Sequence, residues 1–96
     1  MKIFKIRSKV LIYPSLVSGW HFVYVDRKNA EKIKKVAKTY GGGFVKIEAK
    51  IGKTSWQTAL FPYKREDTYL IFIKKQIRQK EGVFEGEFVD IKIKLV

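Results

Sequence analysis

Two ten-residue stretches, "GGFVKIEAKI" from Gly42 and "GEFVDIKIKL" from Gly86, carry Gly, Phe, Val, Ile and Lys at matched positions, with Ile51 answering Leu95. Each follows a helical pattern, each helix follows an apolar run ("WHFVYV", "YLIFI"), and each run follows another strand-like segment. The chain therefore reads strand-strand-helix-strand written twice, the pattern of two halves related by a pseudo-two-fold axis. Short strands in even number with two small helices must stack as two sheets or close on themselves, because an open sheet leaves bare edges and a bare face. The expected fold is mainly β with two helices, a small closed or partly open (double-split) barrel of about six strands, each helix covering one mouth. The 96 residues form one domain, residues 1–96, whose core buries roughly two thirds of the unfolded surface.

Local patterns place the elements. Residues 3–12 alternate, with Phe4, Ile6, Val10 and Ile12 on one face and Lys5, Arg7 and Lys9 on the other, so they read as one half-buried strand. "YPSLVSG" interrupts it, and Trp20 to Val25 resume as a second strand. Asp26 stands as the N-cap of a helix whose stripe is Ala30, Ile33, Ala37 and Tyr40, ended by Gly41 to Gly43. The third strand turns Val45, Ile47, Ala49 and Ile51 inward, and Gly52-Lys53 makes a two-residue hairpin into the fourth, "TSWQTALF". After the polar turn "PYKRED", "TYLIFI" is apolar in both phases, as in a strand covered on both sides. A short helix from Lys74 to Glu81 stops at Gly82, and Val89, Ile91, Ile93 and Leu95 face inward on the last strand. Trp56 reads as interior, and so do Trp20, Phe22 and Tyr24.

Charge is the main pointer to function. Twenty-one Lys and Arg against nine Asp and Glu leave +12, a balance that favours DNA or another polyanion through release of condensed counterions. The same Lys-rich, Ile-rich, cysteine-free composition also marks proteins of hot environments, where charge serves solubility and ion-pair networks. Lys74, Lys75, Arg78 and Lys80 form one helical patch, and Lys32, Lys34, Lys35 and Lys38 form another on the first helix. As phosphate contacts these eight would give sequence-tolerant attraction, and two patches related by the pseudo-two-fold would straddle a duplex. The alternative is a protein-interaction or small-ligand module, binding at a barrel mouth or an aromatic strand face.

The sequence points away from an enzyme. There is no cysteine, His21 is the only histidine and has no evident partner, and Ser55 and Thr58 have no base nearby in sequence. "GGG" follows a helix instead of opening one, the reverse of a phosphate loop. No metal or cofactor is expected. Without an apolar run of about 18 residues or a small-residue cleavage site, the expectation is a cytoplasmic protein with no membrane partner. The oligomeric state stays open, a homo-oligomer included.

"WHFVYV", the W-x-T-x-L-x-P centre (Trp56, Thr58, Leu60, Pro62) and the ending with Arg78, Gly82, Gly86 and Val89 resemble a prokaryotic family, domain of unknown function 1905. The resemblance spans residues 20 to 95 and implies a double-split β-barrel with no established activity. Glu87 departs from it, standing where the family carries Asp. The last third is also similar to the swapped-hairpin DNA-binding domains of AbrB-type regulators and MazE-type antitoxins, which place strand, short basic helix, glycines and strand in the same order.

Overall fold

The computed structural model describes residues 3–13 and 19–96; Pro14 to Ser18, most of the interruption read between the first two strands, lie outside the described residues. The elements are β1 (Ile3–Lys9), β2 (Leu11–Tyr13), β3 (Trp20–Tyr24), α1 (Arg27–Val36), β4 (Val45–Ile51), β5 (Thr54–Tyr63), β6 (Thr68–Phe72), α2 (Lys75–Glu81) and β7 (Phe88–Leu95), with a 3₁₀ turn at Lys64–Glu66. Strands pair antiparallel in the order β1-β7-β4-β5-β6-β3-β2. The two ends of that order, β1 and β2, are neighbours in the chain, so the sheet curls into a nearly closed seven-strand barrel.

The repeat is visible in the registers. β4 and β7 meet with Ala49 opposite Ile93, flanked by Glu48 opposite Lys94 and Lys50 opposite Lys92. β3 and β6 meet with Val23 opposite Ile71, flanked by Phe22 opposite Phe72 and Tyr24 opposite Leu70. In both pairings the central residues are counterparts in the two halves, so one pseudo-two-fold axis passes through both. The Val25 N–H donates to the Tyr69 carbonyl and the Ile73 N–H to the His21 carbonyl, both at 2.9 Å, which extends the β3–β6 ladder by the same step at each end. Under this axis β1 on β7 answers β5 on β4, and β2 on β3 answers β5 on β6.

The halves differ at one junction. β5 passes unbroken between partners, Leu60 opposite Val45 and Phe61 opposite Leu70. Its counterpart breaks at Val10, so the single strand expected over residues 3–12 is two. Val10 is fully buried, and its backbone is satisfied outside the ladder: its N–H donates to the Glu87 carbonyl and its carbonyl accepts from the Gly86 N–H, both at 2.8 Å. The chain, not a ladder, closes the ring there and leaves one seam, bridged where the Ser8 hydroxyl donates to the Tyr24 carbonyl at 2.8 Å.

Inside the wall lies one apolar cluster in which Ile33, Ile47, Leu60, Ile71, Ile91 and Ile93 are fully buried. β4 and β7 supply it by strict alternation, as expected, and burial of each such side chain is worth about 1.5–3 kcal/mol. α1 leaves the end of β3 and α2 the end of β6. Because those strands run antiparallel, the helices cover opposite mouths. Asp26 caps α1, its carboxylate accepting from the Asn29 N–H at 3.0 Å, and Ala30 and Ile33 are the residues α1 buries. The helix stops at Val36 and not at the glycines. Ala37 is already extended, and Tyr40 and Phe44 pair across Gly41–Gly43 in a tight turn (2.8 and 2.9 Å). Past Ile33 the helix has little more to bury, and the chain must turn back to begin β4. α2 ends at Gly82 as expected, in the left-handed region (φ 62°) that glycine adopts without strain.

Candidate functional site

β3 decides the character of the outer surface. Val23 and Val25 point into the core, so alternation sends Trp20, Phe22 and Tyr24 outward. The expected interior placement is overturned for Trp20, which is exposed, and for the half-buried Tyr24, while Phe22 is buried as expected but on the outer side of the sheet; both phases of "WHFVYV" are apolar, and the compact β-branched side chains took the inside. Trp56 is interior as expected, 9 % exposed, with its indole Nε1–H unpaired among the described residues. Phe22 and Leu70, 6 % and 7 % exposed, stand apart from the core cluster, and Phe22 is packed by the Tyr24 and Phe72 rings.

Across this face runs a continuous row of rings. Trp20 packs edge-to-face on Phe72 (5.1 Å, 84°), Phe72 on Phe61 (5.0 Å, 89°) and Phe61 on Phe44 (4.8 Å, 87°). The row crosses β3, β6, β5 and the start of β4, about 15 Å at ordinary strand spacing. Such contacts add about 0.5–1.5 kcal/mol each beyond burial. The surface nevertheless stays accessible: Trp20 is 49 % and Phe61 36 % exposed.

Cations close both ends. At the Trp20 end a hollow is lined by Trp20, His21, Phe72, Lys74, Lys75 and Arg78. The Arg78 guanidinium is fixed: Nε donates to the Ile73 carbonyl at 3.3 Å and Nη1 to His21 Nε2 at 3.2 Å. His21 Nδ1 lies 2.8 Å from the Gly19 carbonyl, which sets the tautomer that donates there and accepts from Arg78. The sequence offered His21 no partner; contacts from α2 and the residue before β3 supply two. Lys74 and Lys75 are exposed and, like Arg78, pair with no carboxylate among the described residues. At the other end Lys46 and Lys38 place their ammonium groups 4.7 and 5.8 Å from the Tyr40 ring centroid.

The remaining sequence-derived candidates do not join this face. Lys34 is committed to Asp67, donating to its carboxylate and, at 3.2 Å, to its carbonyl, and this hydrogen bond and charge hold the Asp67 carboxyl below its ordinary range. Lys32 lines a hollow with Lys5, Asn29 and Lys92. Lys35 and Lys80 are exposed, without a side-chain bond among the described residues. The two helical patches therefore do not sit side by side to straddle a duplex. The helices that carry them cover opposite mouths, and only Lys74, Lys75 and Arg78 at one end and Lys38, beyond the end of α1, at the other flank the aromatic row, of which the sequence reading had placed Trp20 inside.

Among the described residues no group of three or more His, Cys, Asp and Glu comes together as a metal site, and no helix is long and apolar enough to cross a membrane. A sequence model of the family described as domain of unknown function 1905 matches residues 7–93, and the chain belongs to that family. No curated protein matches the chain.

Proposed function

We propose that this member of the domain of unknown function 1905 family is a non-enzymatic binding protein for single-stranded nucleic acid. The observation that carries the reading is the row Trp20–Phe72–Phe61–Phe44, open at its surface and flanked at both ends by cations. Bases stack on rings whatever their identity, each contributing about 1–3 kcal/mol, while Lys and Arg hold the phosphates. Fifteen ångströms of rings accommodates about four nucleotides at a stacked rise of about 3.4 Å. Arg78, held by His21, supplies a planar donor in fixed position, and Lys74 and Lys75 supply point charges. Nothing in this arrangement reads a base edge, so binding is sequence-tolerant.

The test is fluorescence anisotropy with a labelled oligothymidylate of about twelve nucleotides over a salt series, with tryptophan emission followed in parallel. The expected result is tight binding at low salt, a log-log salt slope of about 0.7 per phosphate engaged, and quenching of Trp20. Absence of binding at low salt, or binding that leaves Trp20 emission untouched, overturns the reading.

A further inference from the structure

The opposite pole of the pseudo-two-fold axis has a different surface. There Lys5 on β1 is the direct cross-strand partner of Lys92 on β7, and Lys92 is in turn the direct partner of Lys50 on β4. Three exposed lysines thus stand in one line across three adjacent strands, their backbone positions about 5 Å apart. Like charges directly opposite each other destabilise a sheet, and the middle strand here bears that cost twice. The nearby acids form no ion pair with the three lysines among the described residues: Glu81, packed on Gly52 at the edge of the row, accepts from the Thr54 hydroxyl at 2.5 Å. Asp90 is bonded through both oxygens to Arg7 (3.1 and 3.2 Å), and Glu48 sits opposite Lys94 and accepts from Gln57 at 3.4 Å. Lys5 and Lys92 line two adjoining hollows, one shared with Arg7 and Lys50 and the other with Lys32 and Asn29. Lys32, which the sequence assigned to a helical patch, belongs here by position.

We infer that the Lys5–Lys92–Lys50 row is a second site, for contiguous phosphates of a nucleic-acid backbone held by charge alone. No exposed ring stands within the row itself: Phe4 beside it is buried, and Phe88, exposed further along β7, has the Arg7 guanidinium 5.8 Å from its centroid. The fitting partner is therefore the outside of a duplex, whose phosphates are presented without unstacking. The site stands independently of the aromatic face, and the two lie on opposite sides of the barrel. A chain with both joins a single strand on one face to a duplex on the other.

The test compares the wild type with a Lys5→Gln, Lys50→Gln, Lys92→Gln variant on a blunt duplex with no single-stranded tail. A Lys28→Gln, Lys64→Gln, Arg65→Gln variant serves as the charge-matched control. The expected result is an affinity about tenfold lower and a salt slope reduced by about 2–3 in the row variant, with the control near wild type. Quenching of Trp20 by oligothymidylate should persist in the row variant, which also shows that it is folded. Equal losses in the two variants, or no duplex binding by the wild type at low salt, overturn the inference. Loss of Trp20 quenching with retained duplex binding would instead count against the aromatic face and leave the row standing.

Discussion

Asp26 and Lys74 occupy the same point in the two half-barrels, with backbone angles of −64°, 152° and −63°, 150°, and only Asp26 caps its helix. Lys74 offers no acceptor to the first turn of α2 and places positive charge at the positive end of the helix dipole. A lysine retained where helix chemistry asks for an acceptor fits a residue that serves a ligand. Lys74→Asp should therefore stabilise the protein by about 1 kcal/mol in urea denaturation. The same variant should weaken oligothymidylate binding, and a variant both more stable and undiminished in binding would remove Lys74 from the site.

Trp20 is half exposed at the end of the aromatic row. Trp20→Ala should cost about 1–3 kcal/mol of binding to a single strand while changing the urea midpoint little, because the deleted ring lies outside the core cluster. Calorimetric titration reads the first effect and chemical denaturation the second.

Trp56 is the other tryptophan, buried with an unpaired donor. Orphaned buried donors cost about 1–3 kcal/mol, so Trp56→Phe should destabilise less than the usual loss of core volume would suggest. The variant leaves Trp20 as the sole tryptophan, and all remaining emission should then respond to oligonucleotide.

Gly52 starts the β4–β5 hairpin at φ 57°, and a Cβ there would collide with the Glu81 carboxylate, which also accepts from the Thr54 hydroxyl at 2.5 Å. Gly52→Ala should cost more than about 1 kcal/mol from backbone strain alone. Combining it with Glu81→Ala should return the part due to collision and not the part due to strain. A double-mutant cycle by urea denaturation separates the two, and strict additivity would show that the hairpin and α2 are not in contact.

Two groups give the pH dependence a sign. The Asp67 carboxyl is held below its ordinary value of 3.8, chiefly by its bond to Lys34 and by that residue's charge, so its contribution is present above that value and disappears as pH falls through the lowered one. Asp67→Asn should flatten the acid limb of the stability curve. The Tyr69 hydroxyl is pushed above 10.0 by burial, so the unfolded chain ionises first and stability declines as pH climbs beyond that point. Tyr69→Phe should reduce that alkaline decline, measured by thermal melts across pH.

The registers of β4 and β7 were legible because each strand has one apolar phase, Val45 to Ile51 and Val89 to Leu95, and only one way round buries it. β3 and β6 were legible as strands but not as to which side faces in, since "WHFVYV" and "TYLIFI" are apolar in both phases. That ambiguity hid the aromatic row. The cations were found by their nearness on helices, which held for Lys74, Lys75 and Arg78. It failed for Lys34, whose partner Asp67 ends a turn more than thirty positions away, and for Lys5, Lys50 and Lys92, which only strand pairing brings into line.

Strands as regular as β4 and β7 are the kind that recruit copies of themselves into fibrils when a flat edge lies open. At the Val10 junction the two terminal strands of the sheet are consecutive lengths of one peptide, and the Ser8 hydroxyl reaches across the seam from β1 to the Tyr24 carbonyl at the end of β3. The fold thereby sets the edges of its terminal strands against its own chain, which works against a neighbouring molecule using them as a template on which to add a strand.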